Sequence, residues 1–170
     1  MRAENTSPDT VMDALLELLQ KEGRLTASQM ADRLGKTEEE IDAMMSDLRD
    51  RGAILGFHAV IDPEHLSESP VSALIEVKLT PERDGGFDRI ARRIANFGQV
   101  SSCYLMSGGY DLAVIVDGDD LREVARFVSE KLSTLDGVIS TATHFKLKVY
   151  KQSGFLASDT HEDERLPVTP

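Results

Sequence analysis

The chain has little positive charge, one cysteine, no tryptophan and no long apolar run. Its 170 residues include 19 Lys and Arg against 30 Asp and Glu, and the net charge of −11 disfavours non-specific attraction to phosphates or anionic membranes. A single cysteine, Cys103, excludes an internal disulfide. No apolar stretch has the length of a membrane span, and none follows the polar start as in a signal peptide. We therefore expect a cytoplasmic protein without a membrane partner.

Patterns of catalysis and metal binding are also missing from the sequence. No phosphate loop, metal-ligand spacing or nucleophile–base pairing is present, so no catalytic residue, metal or cofactor is predicted. Cys103 lies in an alternating stretch with no histidine near it, which favours a small, half-buried strand residue over a nucleophile. The four histidines are scattered, at His58, His65, His144 and His161.

Two consecutive capping boxes predict a helix-turn-helix. Thr26 and Gln29 start one helix, which Gly35 ends, and Thr37 and Glu40 start the next. The turn between them has about three residues, the connection that a helix-turn-helix uses. Apolar residues then recur at helical spacing, at Ile41, Met44, Met45 and Leu48.

A third helix and a strand complete the predicted N-terminal module. The helix precedes the other two and ends near Gly23. The apolar, partly β-branched run 53–61 is typical of a strand and predicts a wing. The sequence thus predicts a flexible N-terminus over 1–8 and a winged helix-turn-helix over 9–62.

The predicted recognition helix, the second helix of that pair, has an acidic outer face. DNA affinity rests largely on Lys and Arg that neutralise phosphates, and residues 1–66 hold only 7 basic against 14 acidic side chains. The acids are compatible with a solvated helix surface, where the helix dipole favours acids in the first turn. This explanation is favoured for Glu38–Glu40, but Asp42, Asp47 and Asp50 lie beyond the first turn, and an acidic face there should repel DNA. Its outward positions are Glu39, Asp42, Ala43, Ser46, Asp47 and Asp50.

The second half of the chain alternates between strand and helix patterns. The predicted order is βαββαβ over 71–151, a ferredoxin-like domain whose helices cover one face of an antiparallel sheet. Both faces of the last predicted strand, 139–150, carry apolar or aromatic groups, so we expect a homodimer or a larger assembly. The fold class is α+β, with a linker over 63–70 and an acidic, disordered tail over 152–170.

The winged module, the segment Gly52–Phe57 and the hairpin Ser107–Leu112 together resemble the Lrp/AsnC, or feast/famine, family of transcription regulators over about residues 9–151. The resemblance implies DNA binding, amino acids as effectors, and dimers that often form octamers. It places the effector between subunits. The matching residues are Gly98, Gln99, Val100, Ser107, Gly108, Gly109, Tyr110 and Asp111.

The hairpin also has a physical rationale as an amino-acid site. Backbone N–H groups near Gly108 and Gly109 suit a carboxylate, and Asp111 suits an ammonium group. Alternatively, the glycines serve only the turn and Asp111 caps it.

Typical members of the family carry several arginines on the recognition helix, which this chain lacks. The remaining candidates for DNA contact are Lys36, Thr37, Ser46, Arg49 and Arg51. One alternative function is a small-molecule sensor or assembly module that has lost DNA binding. Another is a siroheme-decarboxylase-like enzyme, a class that resembles the same two-domain plan.

Overall fold

Three helices form the first unit of the chain: α1 (Pro8–Lys21), α2 (Ala27–Leu34) and α3 (Glu38–Asp50). The structure is a computed structural model that describes residues 8–68, 70–81 and 86–157, and it divides into two units between Ala59 and Val60. The apolar stripes of the three helices meet in one core, as the periodicity predicted. Its buried residues are Leu15, Met30, Ala31, Ile41, Met45 and Leu48.

Both predicted capping boxes are confirmed. The Thr26 hydroxyl accepts from the Gln29 N–H, and the Gln29 side chain accepts from the Thr26 N–H. Thr37 and Glu40 make the same reciprocal pair at the start of α3. Gly35 ends α2 with φ 62°, a left-handed conformation that favours glycine. Local sequence therefore fixes where α2 ends and α3 begins.

The predicted wing strand is wrong for this chain. Residues 53–62 form neither a strand nor a helix in the part of the chain that the structure describes. Leu55 is 97% exposed and Phe57 50% exposed, whereas Ile54 packs against the helical core. Apolar and β-branched residues favour a strand only where a second strand supplies the hydrogen bonds.

The second unit is a four-stranded antiparallel sheet with the strand order β2-β3-β1-β4. This order and the βαββαβ sequence of elements match the predicted ferredoxin-like arrangement. A short 3₁₀ turn, Pro63–His65, precedes the sheet. The elements are β1 (Val71–Leu79), α4 (Asp88–Ala95), β2 (Val100–Leu105), β3 (Leu112–Gly118), α5 (Leu121–Arg126) with its π-helical continuation (Phe127–Leu132), and β4 (Val138–Phe145).

The two helices of this unit pack on one face of the sheet. Alternate residues of β1 and β3, such as Ile75 and Val114, are fully buried together with Ile94 of α4 and Val124 of α5. The opposite face contains Glu76 and its neighbour His144, whose Nε2 lies 3.4 Å from the carboxylate. The helices therefore leave one face of the sheet to other contacts.

The end of the predicted last strand and the start of the predicted tail differ from the structure. β4 ends at Phe145, which pairs with Ala73 of β1, and one further backbone bond follows, from Lys146 N–H to the Ser72 carbonyl oxygen at 2.8 Å. After it, β5 (Lys151–Gln152) pairs with β6 (Phe155–Leu156), although a disordered tail was expected from residue 152. The rest of that predicted tail, 158–170, lies outside the described residues, as do residues 1–7 of the flexible N-terminus predicted over 1–8. The last residue of that segment, Pro8, begins α1.

No helix in the described ranges is long and apolar enough to cross a membrane.

Candidate functional site

The outer face of α3 carries acids, as its helical period predicted. Asp42, Ala43, Ser46 and Asp50 are exposed, whereas Asp47 is half-buried. The buried positions of the same helix, Ile41, Met45 and Leu48, hold it against the core. The face that a recognition helix would present to DNA is therefore rigidly positioned but predominantly negative.

Two of the candidate DNA-contacting cations are engaged within the chain. Lys36 Nζ lies 3.2 Å from the Glu40 carboxylate, and Arg51 Nη2 lies 2.7 Å from that of Asp47. The pKa of Glu40 is lowered, mainly by the hydrogen bond that its carboxylate accepts from the Thr37 N–H and next by the hydrogen bond from Lys36. Sequence reasoning missed these pairs, although both have the i,i+4 spacing at which such pairs form.

Arg49 differs from Lys36 and Arg51, because it has no ion pair among the residues that the structure describes. It lies with Ser46 and Asp42 along one wall of an open groove of about 480 Å³ within the first unit. The other walls come from the α1–α2 connection, α2 and Phe57. Of the predicted DNA contacts, the structure thus brings together Ser46 and Arg49 and leaves Thr37 as a helix cap.

The hairpin Ser107–Asp111, which we call the glycine hairpin, is fixed by backbone bonds. Met106 N–H donates to the Asp111 carbonyl oxygen at 2.8 Å, and Asp111 N–H donates to that of Val77 at 3.0 Å. The Asp111 carboxylate accepts from the Leu79 N–H through Oδ2 at 2.7 Å. Gly108 has φ 146°, which L side chains rarely adopt. Asp111 therefore joins the hairpin to the end of β1.

Gly98, Gln99 and Val100 lie at the other end of β2. β2 has six residues, which at about 3.3 Å per residue separates its ends by roughly 17 Å. One chain therefore does not bring these three residues to the glycine hairpin.

An open cavity of about 370 Å³ adjoins Gly98 and Gln99. It is also lined by three acids, Asp117, Asp119 and Glu123. The sequence did not indicate this arrangement, since the acids follow β3 in the chain and reach Gln99 only through the β2–β3 pairing, in which Asp117 N–H donates to the Gln99 carbonyl oxygen at 3.0 Å.

Cys103 is a half-buried residue of β2, as predicted. Its thiol lies 3.9 Å from the Ala91 carbonyl oxygen, and burial raises the pKa of the thiol. A raised pKa disfavours the thiolate that a nucleophile requires. Over the described ranges, no group of three His, Cys, Asp or Glu could hold a metal ion.

Comparison with known proteins matches both units together. The family model described as the Lrp/AsnC ligand binding domain matches residues 72–156. The HTH-type transcriptional regulator YugG of Bacillus subtilis is 42% identical over 157 residues, which cover 92% of this chain and 95% of the relative. The proline dehydrogenase transcriptional activator of Rhizobium radiobacter is 30% identical, covering 82% of this chain and 89% of its own.

A solved structure shares the fold. A transcriptional regulator from Neisseria meningitidis, crystallised as a complex with L-Met, superposes with a TM-score of 0.64 at 24% identity. The match covers 86% of this chain and 94% of that one.

The matched family model and the relatives named as regulators show that the chain is a transcription regulator with a ligand-binding domain, and not an enzyme. The chain belongs to the Lrp/AsnC family.

Proposed function

We propose that this regulator binds DNA through α3 of a helix-turn-helix and responds to an α-amino acid bound between subunits. The observation that carries the DNA part is the pair of capped helices, α2 and α3, separated only by Gly35, Lys36 and Thr37. This short connection holds an exposed helix on a packed support, which is how a helix-turn-helix presents residues to the major groove. Relatives that are named as transcriptional regulators align over both units and support the proposal.

Ser46 and Arg49 are the proposed central contacts. Both are exposed on α3, and Arg49 has no ion pair among the described residues. A guanidinium in the major groove can bind guanine, and a hydroxyl accepts or donates to several bases. Lys36, Thr37 and Arg51 remain proposed as phosphate contacts at the two ends of α3, with the ion pairs of Lys36 and Arg51 opening on binding.

A specific observation favours a second candidate function. With Lys36 and Arg51 paired to acids, the face of α3 offers few free cations, as expected of a sensor that assembles without binding DNA.

A gel-shift series with the gene's own upstream region, from low to physiological salt, separates the regulator from the sensor. The regulator is supported if the upstream DNA is retained specifically and the retention weakens as salt rises. Retention should fall further in Arg49→Gln but not in the matched second-unit variant Arg93→Gln. Normal assembly without retention at any salt supports the sensor.

The glycine hairpin is the proposed effector site. Leu79 N–H holds one oxygen of Asp111, which orients the second oxygen, Oδ1, as an acceptor for an ammonium group. The N–H groups around Gly108 and Gly109, with Ser107 and Tyr110, are the proposed carboxylate donors. Both glycines have open space where a side chain would lie, so a ligand can approach the backbone closely.

Two copies are needed to complete this site. Gly98, Gln99 and Val100 lie at the opposite end of β2, so we propose that they approach the glycine hairpin from a neighbouring subunit in a dimer or octamer. The neighbour crystallised with L-Met supports an amino acid as the effector class.

Titration calorimetry with each of the common amino acids tests the effector proposal. Asp111→Asn keeps an oxygen for Leu79 N–H but removes the charge, so it should abolish binding while the fold survives. The matched variant Asp136→Asn, in an exposed loop, should bind as the unaltered protein does. Unchanged binding by Asp111→Asn would contradict the assignment of this residue.

A further inference from the structure

The segment that follows the sheet is positively charged in an otherwise acidic protein. Residues 144–157 hold three lysines and no Asp or Glu, whereas the whole chain has a net charge of −11. Lys146, Lys148 and Lys151 are all exposed. Neither the proposed DNA-binding helix nor the proposed effector site uses this segment.

The segment 146–157, which we call the C-terminal ribbon, leaves the sheet at Lys146, whose N–H donates to the Ser72 carbonyl oxygen at 2.8 Å, and ends in a short hairpin. β5 and β6 pair across a two-residue turn in which Ser153 has φ 49° and Gly154 φ 91°. Two consecutive residues with positive φ are typical of the tight type I′ turn of a hairpin. Ala157 N–H also donates to the Tyr150 carbonyl oxygen at 3.1 Å, which extends the pairing by one bond.

Apolar and aromatic groups accompany the lysines on the ribbon. Tyr150 is 72% exposed, Phe155 62% and Leu156 79%. Lys148 Nζ lies 5.1 Å from the centre of the Tyr150 ring, a cation–π contact that holds the two side chains together. Such exposure of large apolar groups beside cations indicates a surface that contacts a partner.

We propose that the C-terminal ribbon is a second DNA-contacting element, in which Lys146 and Lys151 neutralise phosphates and the apolar tip lies against the groove. Two-stranded ribbons enter DNA grooves, and apolar side chains on minor-groove proteins wedge between base steps. The proposal rests on the proposed function, since it requires that the protein binds DNA. It supplies the cations that the acidic face of α3 lacks.

The salt dependence of DNA binding by the full chain tests this proposal. Each phosphate contact contributes about one unit to the slope of log affinity against log salt concentration. Lys146→Gln with Lys151→Gln should therefore lower the slope by about two units. Lys148 is kept, because it packs on Tyr150. The control, Arg92→Gln with Arg122→Gln, removes the same charge from exposed positions on α4 and α5 and should leave the slope unchanged.

The outcomes separate this proposal from the function on which it rests. If the unaltered protein does not bind DNA, the proposed function fails. If it binds and the lysine variant retains the full slope, or the control lowers the slope equally, only the ribbon proposal is overturned. A lysine variant that loses the oligomeric state of the unaltered protein in sedimentation also overturns it. So does binding of the unaltered protein to phosphatidylserine vesicles, if the lysine variant keeps the full salt dependence of DNA binding.

Discussion

At the outward positions of α3, carboxylates occupy the surface from which a recognition helix contacts DNA. Asp42 and Asp50 are exposed, and Asp47 is held by Arg51. Each exposed carboxylate would lie near phosphates or base edges, where its charge opposes binding. Under the proposed function, individual side chains, and not the backbone of the unit, thus set how strongly this regulator binds DNA.

Removing acids from that face should strengthen DNA binding. The double variant Asp42→Asn and Asp50→Asn relieves repulsion worth about 1 kcal/mol for a charge at short range in water, so the affinity should rise severalfold at low salt. Fluorescence anisotropy with the upstream DNA measures the change. Asp119→Asn with Asp136→Asn, in exposed loops of the second unit, provides the matched change in net charge. Equal gains in both variants would show that only net charge matters.

At the scale of single elements, caps and close packing fix the positions of the helices. The Thr37 box starts α3, and Gly137 allows the chain to pass close to α4. In both features the residues involved are close in space. Only Thr37 and Glu40 are also close in the sequence, whereas Gly137 and Ile90 are far apart in it. Their contributions to stability can be measured separately.

Loss of the Thr37 cap should destabilise the first unit. Thr37→Ala removes the hydroxyl that accepts from Glu40 N–H, at a cost of about 1 kcal/mol in the free energy of unfolding, whereas Thr37→Ser keeps it. Urea denaturation followed by circular dichroism gives the difference. An equal loss in the serine variant would show that the methyl group, and not the hydroxyl, matters.

The same box predicts a pH dependence. The folded state lowers the pKa of Glu40 below its ordinary value of 4.5, so its contribution to stability is complete above that value and is lost as the pH falls through the lowered pKa. Unfolding titrations from pH 6 to pH 3 should show a smaller decline in Glu40→Gln than in the unaltered protein. If the free energy of unfolding falls equally with pH in both proteins, Glu40 does not contribute to the pH dependence of stability.

A side chain at Gly137 should destabilise the second unit strongly. Its φ of 92° disfavours L residues, and an added Cβ would overlap Ile90 Cδ1. Strain and overpacking together should cost Gly137→Ala about 2 to 4 kcal/mol. Gly56→Ala, which has open space and no positive φ, is the control for the same thermal or urea measurement. A near-neutral Gly137→Ala would mean that Ile90 repacks without cost.

Sequence patterns predicted those elements whose causes are close in the chain. The two capping boxes and the alternation of β1 gave correct boundaries, because caps and pleats involve residues a few positions apart. The strand at 53–61 and the last five residues of the 139–150 strand were wrong, because an apolar pattern does not specify which residues pair with a neighbouring strand. The ion pairs of α3 could not be predicted without the positions of the side chains. The acidic cavity at Gln99 could not be predicted without knowing which strands pair.

At the scale of the whole molecule, large apolar side chains remain exposed in both units. Leu55 is 97% exposed, Ile139 64% and Leu105 60%. Apolar surface of this kind is typical of interfaces between subunits. We therefore expect a mass of at least twice 18.7 kDa in sedimentation equilibrium at micromolar concentration. A single species of one chain would contradict both the assembly and the shared effector site.

The six residues of β2 have a thermodynamic consequence. Because the two halves of the proposed effector site lie at opposite ends of this strand, a ligand can meet both halves only where two chains are in contact. Effector binding and subunit association are then thermodynamically coupled. The effector must strengthen subunit association by the same factor by which association raises the affinity for the effector. Diluting the protein should weaken effector binding, so the abundance of the regulator would itself help to set the effector concentration at which it responds.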